Sequence, residues 1–147
     1  MKMYKVILPS DVFVSIFKRE PTEAELWTGT EANASGNRKS GSEFIDVFAG
    51  FIHRHQKRPI SFYAKAMGLS VVEFTMAVKA ISGIAARDWL NDYINLEACE
   101  LLKNTNKTVQ EISLMLNFSP SAFGQFFLRK NKTTPQEWRR INNSRWR

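Results

Sequence analysis

Residues 108–140 read TVQEISLMLNFSPSAFGQFFLRKNKTTPQEWRR and predict three short helices packed closely together. Thr108 and Glu111 have the spacing of a capping box, which predicts that a helix begins at Val109. Apolar residues then recur at intervals that give this helix one buried face. Pro120 ends the run, because a proline disfavours helical backbone in the residue before it and has no N–H to donate. The first helix therefore stops at a tight turn.

The remainder of this stretch carries the signals of two more helices. Ser121 is expected to cap the second helix, over residues 122–130, which ends in a basic pair. Thr134-Pro135 opens the third helix, with Glu137 three residues past the cap. A helix, a tight turn and a second helix that ends in positive charge have the layout of a DNA-binding helix-turn-helix.

The composition is that of a globular protein. With 147 residues, 44% of them hydrophobic, the chain has room for one ordinary domain with a packed core. The single cysteine, Cys99, excludes an internal disulfide framework and fits a reducing compartment. No apolar stretch reaches the roughly 20 residues that cross a bilayer, and the start has no signal-peptide core. We therefore expect a cytoplasmic protein.

The charge of the chain is positive and unevenly distributed. The formal net charge is +7, and residues 42–147 hold fifteen Lys or Arg against nine Asp or Glu. Residues 129–147 alone hold seven basic residues against one acidic residue. This balance favours a polyanionic partner such as DNA, RNA or anionic lipid. A charged surface that serves only solubility is the alternative explanation.

Residues 1–41 are predicted to form an N-terminal extension and linker. Residues 4–8 and 12–17 have a β-like composition and predict either a short hairpin or a flexible segment. Residues 18–41 are polar and rich in small residues, so we interpret them as a largely flexible linker with one helical turn around residues 22–27.

Residues 42–83 carry the signals of another helix-turn-helix. An amphipathic helix of about fifteen residues is expected from the start of this segment, with Pro59 ending it. A short helix over residues 61–67 comes next. The Ser-x-x-Glu capping box at residues 70–73 then opens the second helix of the unit, and Gly83 is its expected left-handed stop.

A long helix is predicted between the two units. Residues 85–103 contain no Gly or Pro and are apolar over much of the helical surface, so the helix would bury two faces. A helix of this length spans roughly 27 Å, at about 1.5 Å per residue. It could hold two recognition helices about one DNA turn, ~34 Å, apart. A monomer could then bind two half-sites, and a dimer formed through residues 1–41 remains an open alternative.

Several blocks of the sequence match one known family in order and near-correct spacing. They are Phe62-Tyr63-Ala64 with Leu69-Ser70, Lys79 to Gly83, Trp89-Leu90, Leu101-Leu102, Thr108 to Ile112, Asn117-Phe118, Phe123 to Phe127 and Thr134 to Arg139. Residues from about 44 to 140 thus resemble the AraC/XylS-type DNA-binding domain. The resemblance implies an all-α fold of seven helices, in which a long linker helix joins two homeodomain-like helix-turn-helix units. It also implies recognition helices in successive major grooves of double-stranded DNA, and recruitment or blocking of RNA polymerase.

The resemblance also implies which residues contact DNA. Base contacts are expected from Val72, Thr75 and Met76 in the first unit and from Ser121, Ala122 and Gln125 in the second. Phosphate contacts are expected from Lys79, Arg87, Lys107, Arg129, Lys130 and Lys132. The sequence departs from the family at Val72 and Met76, where polar or basic residues are common. It also departs at Lys132, where glycine is common. The turn of the second unit looks one residue shorter than usual. We therefore expect the first unit to contribute mainly backbone positioning and shape recognition.

Functions other than DNA binding have weaker support in the sequence. The apolar first recognition helix favours a protein-interaction module that docks on polymerase or a co-regulator. The rings of Phe123, Phe126 and Phe127 could stack on single strands, but their helical spacing favours a core position. His53 and His55 point to different helix faces and make a poor metal pair. No cofactor is expected, and no arrangement of residues supports catalysis.

Overall fold

The computed structural model describes residues 6–22 and 43–143, and these residues contain eight α-helices and no strand. The helices are α1 (Pro9–Phe17), α2 (Glu43–His55), α3 (Ile60–Ala66), α4 (Val71–Ser82), α5 (Ala86–Asn104), α6 (Val109–Met115), α7 (Pro120–Asn131) and α8 (Pro135–Asn142). The predicted all-α fold with two helix-turn-helix units and a long helix between them is confirmed. No helix within the described ranges is long and apolar enough to span a membrane. The chain divides into two compact units, one formed by Ile7–Tyr93 and the other containing the chain from residue 94 onward.

Helix α1 corrects the prediction for the N-terminal segment. Residues 12–17, predicted as a strand of a hairpin, are helical. Pro9 occupies the first helical position, and the Asp11 carboxylate accepts a hydrogen bond from the Leu8 N–H at 2.8 Å. Val12 is fully buried, and α1 packs against α2. The hairpin prediction was wrong because proline at N1 and an acidic residue at N3 initiate a helix here, where we expected a turn.

The other predictions for the N-terminal region fall largely outside the described residues. Residues 6–8, the described part of the other predicted strand, have no regular secondary structure. The predicted linker is described only as far as residue 22, so the helical turn expected around residues 22–27 lies almost entirely outside the description.

Helix α2 ends earlier than the predicted stop at Pro59. Gln56 leaves the helix with a φ of 60°, in the left-handed region. Its backbone carbonyl accepts a hydrogen bond from the buried Tyr63 hydroxyl of α3, and burial raises the pKa of this phenol above its ordinary value. The His55 ring lies edge-on to Phe62, with centroids 5.1 Å apart. Contacts with α3 therefore hold the turn at Gln56, and α2 ends before Pro59.

The predicted capping box of α4 is confirmed. The Ser70 hydroxyl accepts a hydrogen bond from the Glu73 N–H at 3.1 Å, and the Glu73 carboxylate accepts one from the Ser70 N–H at 3.0 Å. Gly83 ends the helix with a φ of 75°, a conformation that costs glycine little. Phe74 anchors the buried face, edge-on to Phe48 with centroids 5.0 Å apart. Both ends and the inner face of α4 are therefore fixed.

Helix α5 is the predicted long helix, 19 residues in length. The division between the two compact units falls within it, between Tyr93 and Ile94. Cys99 is half-buried on this helix, and burial together with the Glu100 carboxylate raises the pKa of its thiol to about 12. The thiol is therefore protonated at neutral pH, which disfavours thiolate chemistry. The fully buried apolar residues of the helix are Trp89, Leu90, Tyr93, Ile94, Ala98, Leu101 and Leu102.

The start of α7 differs from the prediction. Ser119, not Ser121, is the cap, and its hydroxyl accepts a hydrogen bond from the Ala122 N–H at 3.2 Å. Pro120 occupies the first helical position, where its missing N–H is not needed. The helix consequently begins at Pro120, two residues before the predicted start. Ser121 lies inside the first turn with an exposed side chain.

The remaining caps of the second unit follow local sequence signals. The Thr108 hydroxyl accepts from the Glu111 N–H at 3.0 Å, which confirms the predicted start of α6. The Thr134 hydroxyl accepts from the Glu137 N–H at 3.2 Å and caps α8 as predicted. Lys132 ends α7 in the left-handed region, with a φ of 62°. The chain therefore makes this turn without the glycine that is common in the family.

Candidate nucleic-acid interface

Helix α4 presents an apolar outer face. Phe74 and Val78 are fully buried, which fixes the inner side of the helix. Val72 and Met76 lie on the opposite side, one turn apart, and are 65% and 67% exposed. These two predicted base-contacting residues are therefore among the most exposed large apolar side chains of the described chain.

The polar groups on the same helix are largely engaged within it. The hydroxyl of Thr75, which is half-buried, lies 2.9 Å from the Val71 carbonyl oxygen and 3.1 Å from that of Val72, so it donates back to its own helix. Glu73 is held in the capping box described above. The Lys79 ammonium donates to the Gly83 carbonyl at 3.0 Å and so caps the far end of α4. What faces solvent between the two ends of the helix is mainly hydrocarbon.

Helix α7 presents a polar outer face over a phenylalanine core. Phe123 and Phe127 are fully buried and Phe126 is 5% exposed, so the preferred core interpretation is confirmed and the rings cannot stack on bases. The predicted base-contacting residues Ser121, Ala122 and Gln125 are all exposed. The Gln125 amide and the Ser121 hydroxyl supply hydrogen-bonding groups that the outer face of α4 lacks.

Positive charge accumulates at the end of α7. Arg129 lies one turn after Gln125, and Arg129, Lys130 and Lys132 are all exposed. Arg87 and Lys107, the other predicted phosphate contacts, are exposed on α5 and just before α6. The left-handed backbone at Lys132 keeps its side chain on the surface directly after the helix. The second unit therefore combines an exposed amide on α7 with positive charge at the end of the same helix.

An amide pair fixes the position of α7 within its unit. The Asn95 amide of α5 donates to Asn131 at 3.1 Å, and Asn131 donates back at 2.7 Å. Asn131 also donates to the Phe127 carbonyl at 3.1 Å. These bonds hold the end of α7 against α5, next to the exposed basic residues of α7. Nothing in the sequence analysis identified this pair.

Arg139 of α8 is basic, but it is buried and does not contribute to the positively charged surface. Its side chain is 2% exposed, and its Nε donates to the Leu102 carbonyl at 3.0 Å. Two longer bonds of 3.4 Å reach the carbonyls of Leu101 and Thr105, and Asn143 also donates to Leu102 at 3.1 Å. Burial lowers the pKa of this guanidinium. Arg139 therefore caps the carboxyl end of α5, where a cation also suits the helix dipole.

The spacing of α8 contained a signal for this role. Pro135, Arg139 and Asn143 recur at four-residue intervals, and all three are buried on one face. From the sequence alone, Arg139 was placed in the basic C-terminal segment and in the last block of the family match, and no contact was assigned to it. Neighbouring Arg140 is different, because its side chain is 58% exposed and pairs with Glu137 at 2.6 Å.

The described residues contain no group of three or more His, Cys, Asp or Glu side chains that could hold a metal ion. His53 and His55 lie on α2, and the His55 ring belongs to the aromatic contact with α3. The chemistry available at the surface is therefore apolar contact on α4, and amide hydrogen bonding with cationic attraction on α7.

Comparison with known proteins gives the same architecture. A family profile described as a helix-turn-helix domain matches residues 63–141, more than half of the chain. The C-terminal domain of AraT, a response regulator from Geobacillus stearothermophilus, is 22% identical, with a TM-score of 0.62 over 69% of this chain and 88% of that chain. The DNA-binding domain of AdpA, a global transcriptional factor solved in complex with a target DNA, is 22% identical, with a TM-score of 0.61 over 71% of this chain and 96% of that chain.

A third structure is a transcriptional regulator from Chromobacterium violaceum, described among AraC-type DNA-binding domain-containing proteins. It is 19% identical, with a TM-score of 0.57 over 67% of this chain and 91% of that chain. At these identities the structures establish similarity of fold. Among curated proteins, none matches this sequence.

Proposed function

Because the chain belongs to the AraC-type helix-turn-helix family, we propose that it is a transcription regulator that binds double-stranded DNA in a sequence-dependent manner. The observation that carries the proposal is the outer face of α7. There the exposed amide of Gln125 and the exposed Arg129 lie one turn apart on a helix that is capped at Ser119 and packed on a phenylalanine core, and the exposed Lys130 and Lys132 lie at the carboxyl end of this helix. This combination suits the major groove, where base edges offer hydrogen-bonding groups and phosphates flank them.

In this proposal α7 supplies the directional base contact. A glutamine amide can pair with adenine through its donor and acceptor together, which discriminates adenine from the other bases. Ser121 and Ala122 lie one turn before Gln125 and would contact neighbouring bases. Arg129, Lys130 and Lys132 would contact phosphates, which gives affinity but no sequence preference.

The proposal places α4 in a second major-groove segment. Helix α5 has 19 residues and is therefore about 28 Å long, which is comparable with one DNA turn of ~34 Å. This length supports two adjacent groove contacts made by one chain. Lys79, Arg87 and Lys107 would add phosphate contacts, although the Lys79 ammonium would have to exchange its bond to Gly83 for one to a phosphate.

The proposal assigns the chain no catalytic role and no cofactor. RNA polymerase is the functional partner that transcription control requires, and a chromosomal target implies that the protein acts in the cytoplasm. Binding as a monomer is the simplest arrangement, because two recognition helices are present on one chain.

A second candidate function is favoured by one observation. The exposed side chains of Val72 and Met76 would also suit an apolar protein–protein contact, in which α4 docks on polymerase or a co-regulator. The two candidates differ in their response to salt. DNA binding releases counterions and weakens steeply as salt rises, whereas an apolar interface does not.

The test is a salt titration of binding to duplex DNA with the full chain. A linear fall of log affinity with log salt is expected. The triple variant Arg129→Gln, Lys130→Gln and Lys132→Gln should reduce the slope by about three, roughly one for each phosphate contact. Arg140→Gln is the matched control, because that charge is already paired with Glu137, and it should leave the slope nearly unchanged. The proposal fails if binding to DNA is absent at low salt, or if the triple variant and the control give the same slope.

A further inference from the structure

We infer that α4 selects the C5-methyl group of pyrimidines, thymine above all, by apolar contact through Val72 and Met76. The inference rests on the proposed function and makes it more specific. It assigns the first unit a positive sequence preference, in place of the backbone positioning that the sequence alone suggested.

The geometry of the face supports this assignment. Val72 and Met76 are one helical turn apart, and the fully buried Phe74 and Val78 hold the opposite side of α4 in the core. The exposed pair therefore forms a continuous apolar ridge along the helix. Met76 adds a flexible and polarizable thioether, which can adapt to a methyl group at slightly different positions.

The hydrogen-bonding groups of α4 argue against readout by polar contacts. The hydrogen of the Thr75 hydroxyl is directed at backbone carbonyls within its own helix. Glu73 is held by the Ser70 N–H, and a carboxylate would also be repelled by phosphate. Lys79 is directed at the Gly83 carbonyl at the far end of the helix. The donors of α4 are thus directed at carbonyls of the helix and its cap, and the Glu73 carboxylate already accepts within the capping box, so hydrogen bonds to base edges would compete with these contacts.

The chemistry of the major groove then identifies what an apolar ridge can recognise. Thymine is the standard base that presents a hydrocarbon group there, its C5-methyl, whereas the other base edges present donors and acceptors. Placing the ridge against cytosine or guanine would desolvate polar groups without giving them a partner, which is unfavourable. A 5-methylcytosine carries the same methyl group at the same ring position, so it should substitute in part for thymine.

The expected effect of one methyl group is measurable. Burying a single methyl group changes affinity by about fourfold at the usual transfer free energy of hydrocarbon. Two contacted thymines should therefore contribute about fifteenfold when their effects are independent.

The experiment uses the full chain and a duplex that it selects from a random library. Thymines in one groove segment at a time are replaced by deoxyuridine, which keeps base pairing and removes only the methyl group. Affinity should fall about fourfold per contacted methyl in the α4 segment. Replacing a cytosine by 5-methylcytosine in that segment should raise affinity by a similar factor.

Protein variants then test whether the side chains make the contact. In the double variant with Val72→Ala and Met76→Ala, replacing thymine by deoxyuridine should lower the affinity much less than it does in the wild type. Both side chains are largely exposed, so the variant should fold normally. Val47→Ala is the matched control, because Val47 is an exposed aliphatic residue of the same unit, on α2, and the full effect should persist there.

The possible results distinguish failure of the methyl contact from failure of DNA recognition. If a motif is selected but deoxyuridine has no effect in either segment, the methyl contact is refuted and the proposed function stands. If the deoxyuridine effect is unchanged in the double variant, the methyl acts through DNA shape and the inference is also refuted. If no duplex is selected at low salt, the proposed function fails and takes this inference with it.

Discussion

Replacing Arg139 by alanine should destabilise the second unit far more than replacing its neighbour Arg140. Arg139 is buried and donates to three backbone carbonyls at the end of α5, whereas Arg140 is exposed and pairs with Glu137 at the surface. The two substitutions remove the same side chain from adjacent positions of one helix. The difference between them therefore isolates the buried contacts.

The magnitude follows from the bond lengths. A hydrogen bond from a charged group contributes about 1.5–3 kcal/mol, and the bond of 3.0 Å from Arg139 to Leu102 is of this kind. The two contacts at 3.4 Å lie at the limit of hydrogen-bonding distance and add little. Asn143 still donates to Leu102 in the variant, so that carbonyl is not left without a partner. We expect a net loss of about 2–3 kcal/mol.

Urea denaturation followed by circular dichroism measures this loss, and hydrogen exchange locates it. Exchange should accelerate in the second unit, at the carboxyl end of α5 and in α8, and remain unchanged in α2 to α4. Equal unfolding midpoints for Arg139→Ala and Arg140→Ala would refute the role assigned to the buried guanidinium.

Three further predictions concern the helix ends. Ser119→Ala should cost about 1 kcal/mol of unfolding free energy, and Ser121→Ala much less, because only Ser119 caps α7; equal losses in thermal denaturation would contradict this cap. Lys132→Gly should stabilise the unit by up to about 1 kcal/mol, because glycine adopts positive φ without strain. It should also weaken DNA binding, and a loss of stability would contradict the argument. Hydrogen bonds from the capping residues hold the pKa of Glu73 and Glu111 below the ordinary 4.5. Their contribution to stability is therefore present above that pH and lost as pH falls through the lowered pKa. Acid titration of unfolding should show a shallower decline below about pH 4.5 when both are changed to Gln, and an unchanged decline would refute the assignment.

The predicted capping boxes and the predicted glycine stop were confirmed. The capping boxes at Ser70 and Thr108, and the stop at Gly83, involve residues within a few positions of one another, so their spacing carries enough information. The segment around Val12 was predicted wrongly. A short apolar run is compatible with a strand or a helix, and here the proline at N1 and the acidic residue at N3 favour the helix, which packs against α2. The cap at Ser119 was missed because two serines flank Pro120, and the preference of proline for the first helical position selects the earlier one.

The candidate site could be predicted only in part. The sequence identified most of the exposed residues on the outer faces of α4 and α7, because helical periodicity separates them from the buried phenylalanines. It did not reveal that Thr75 and Lys79 are directed at carbonyls of their own helix and its cap, since side-chain rotamers depend on the folded surroundings. The four-residue spacing on α8 is consistent with burial of Arg139, but it does not reveal its main partner, the Leu102 carbonyl, which lies 37 residues earlier in the chain.

Selection of bound duplexes from a random library, with wild type and Gln125→Ala in parallel, tests the central claim most directly. The proposed function predicts an enriched motif that spans two adjacent groove segments. The substitution should change the preference in one segment, where adenine is read, and leave the other segment intact. A motif confined to one short segment would contradict the claim that both units read DNA, and the absence of any enriched motif at low salt would contradict DNA recognition itself.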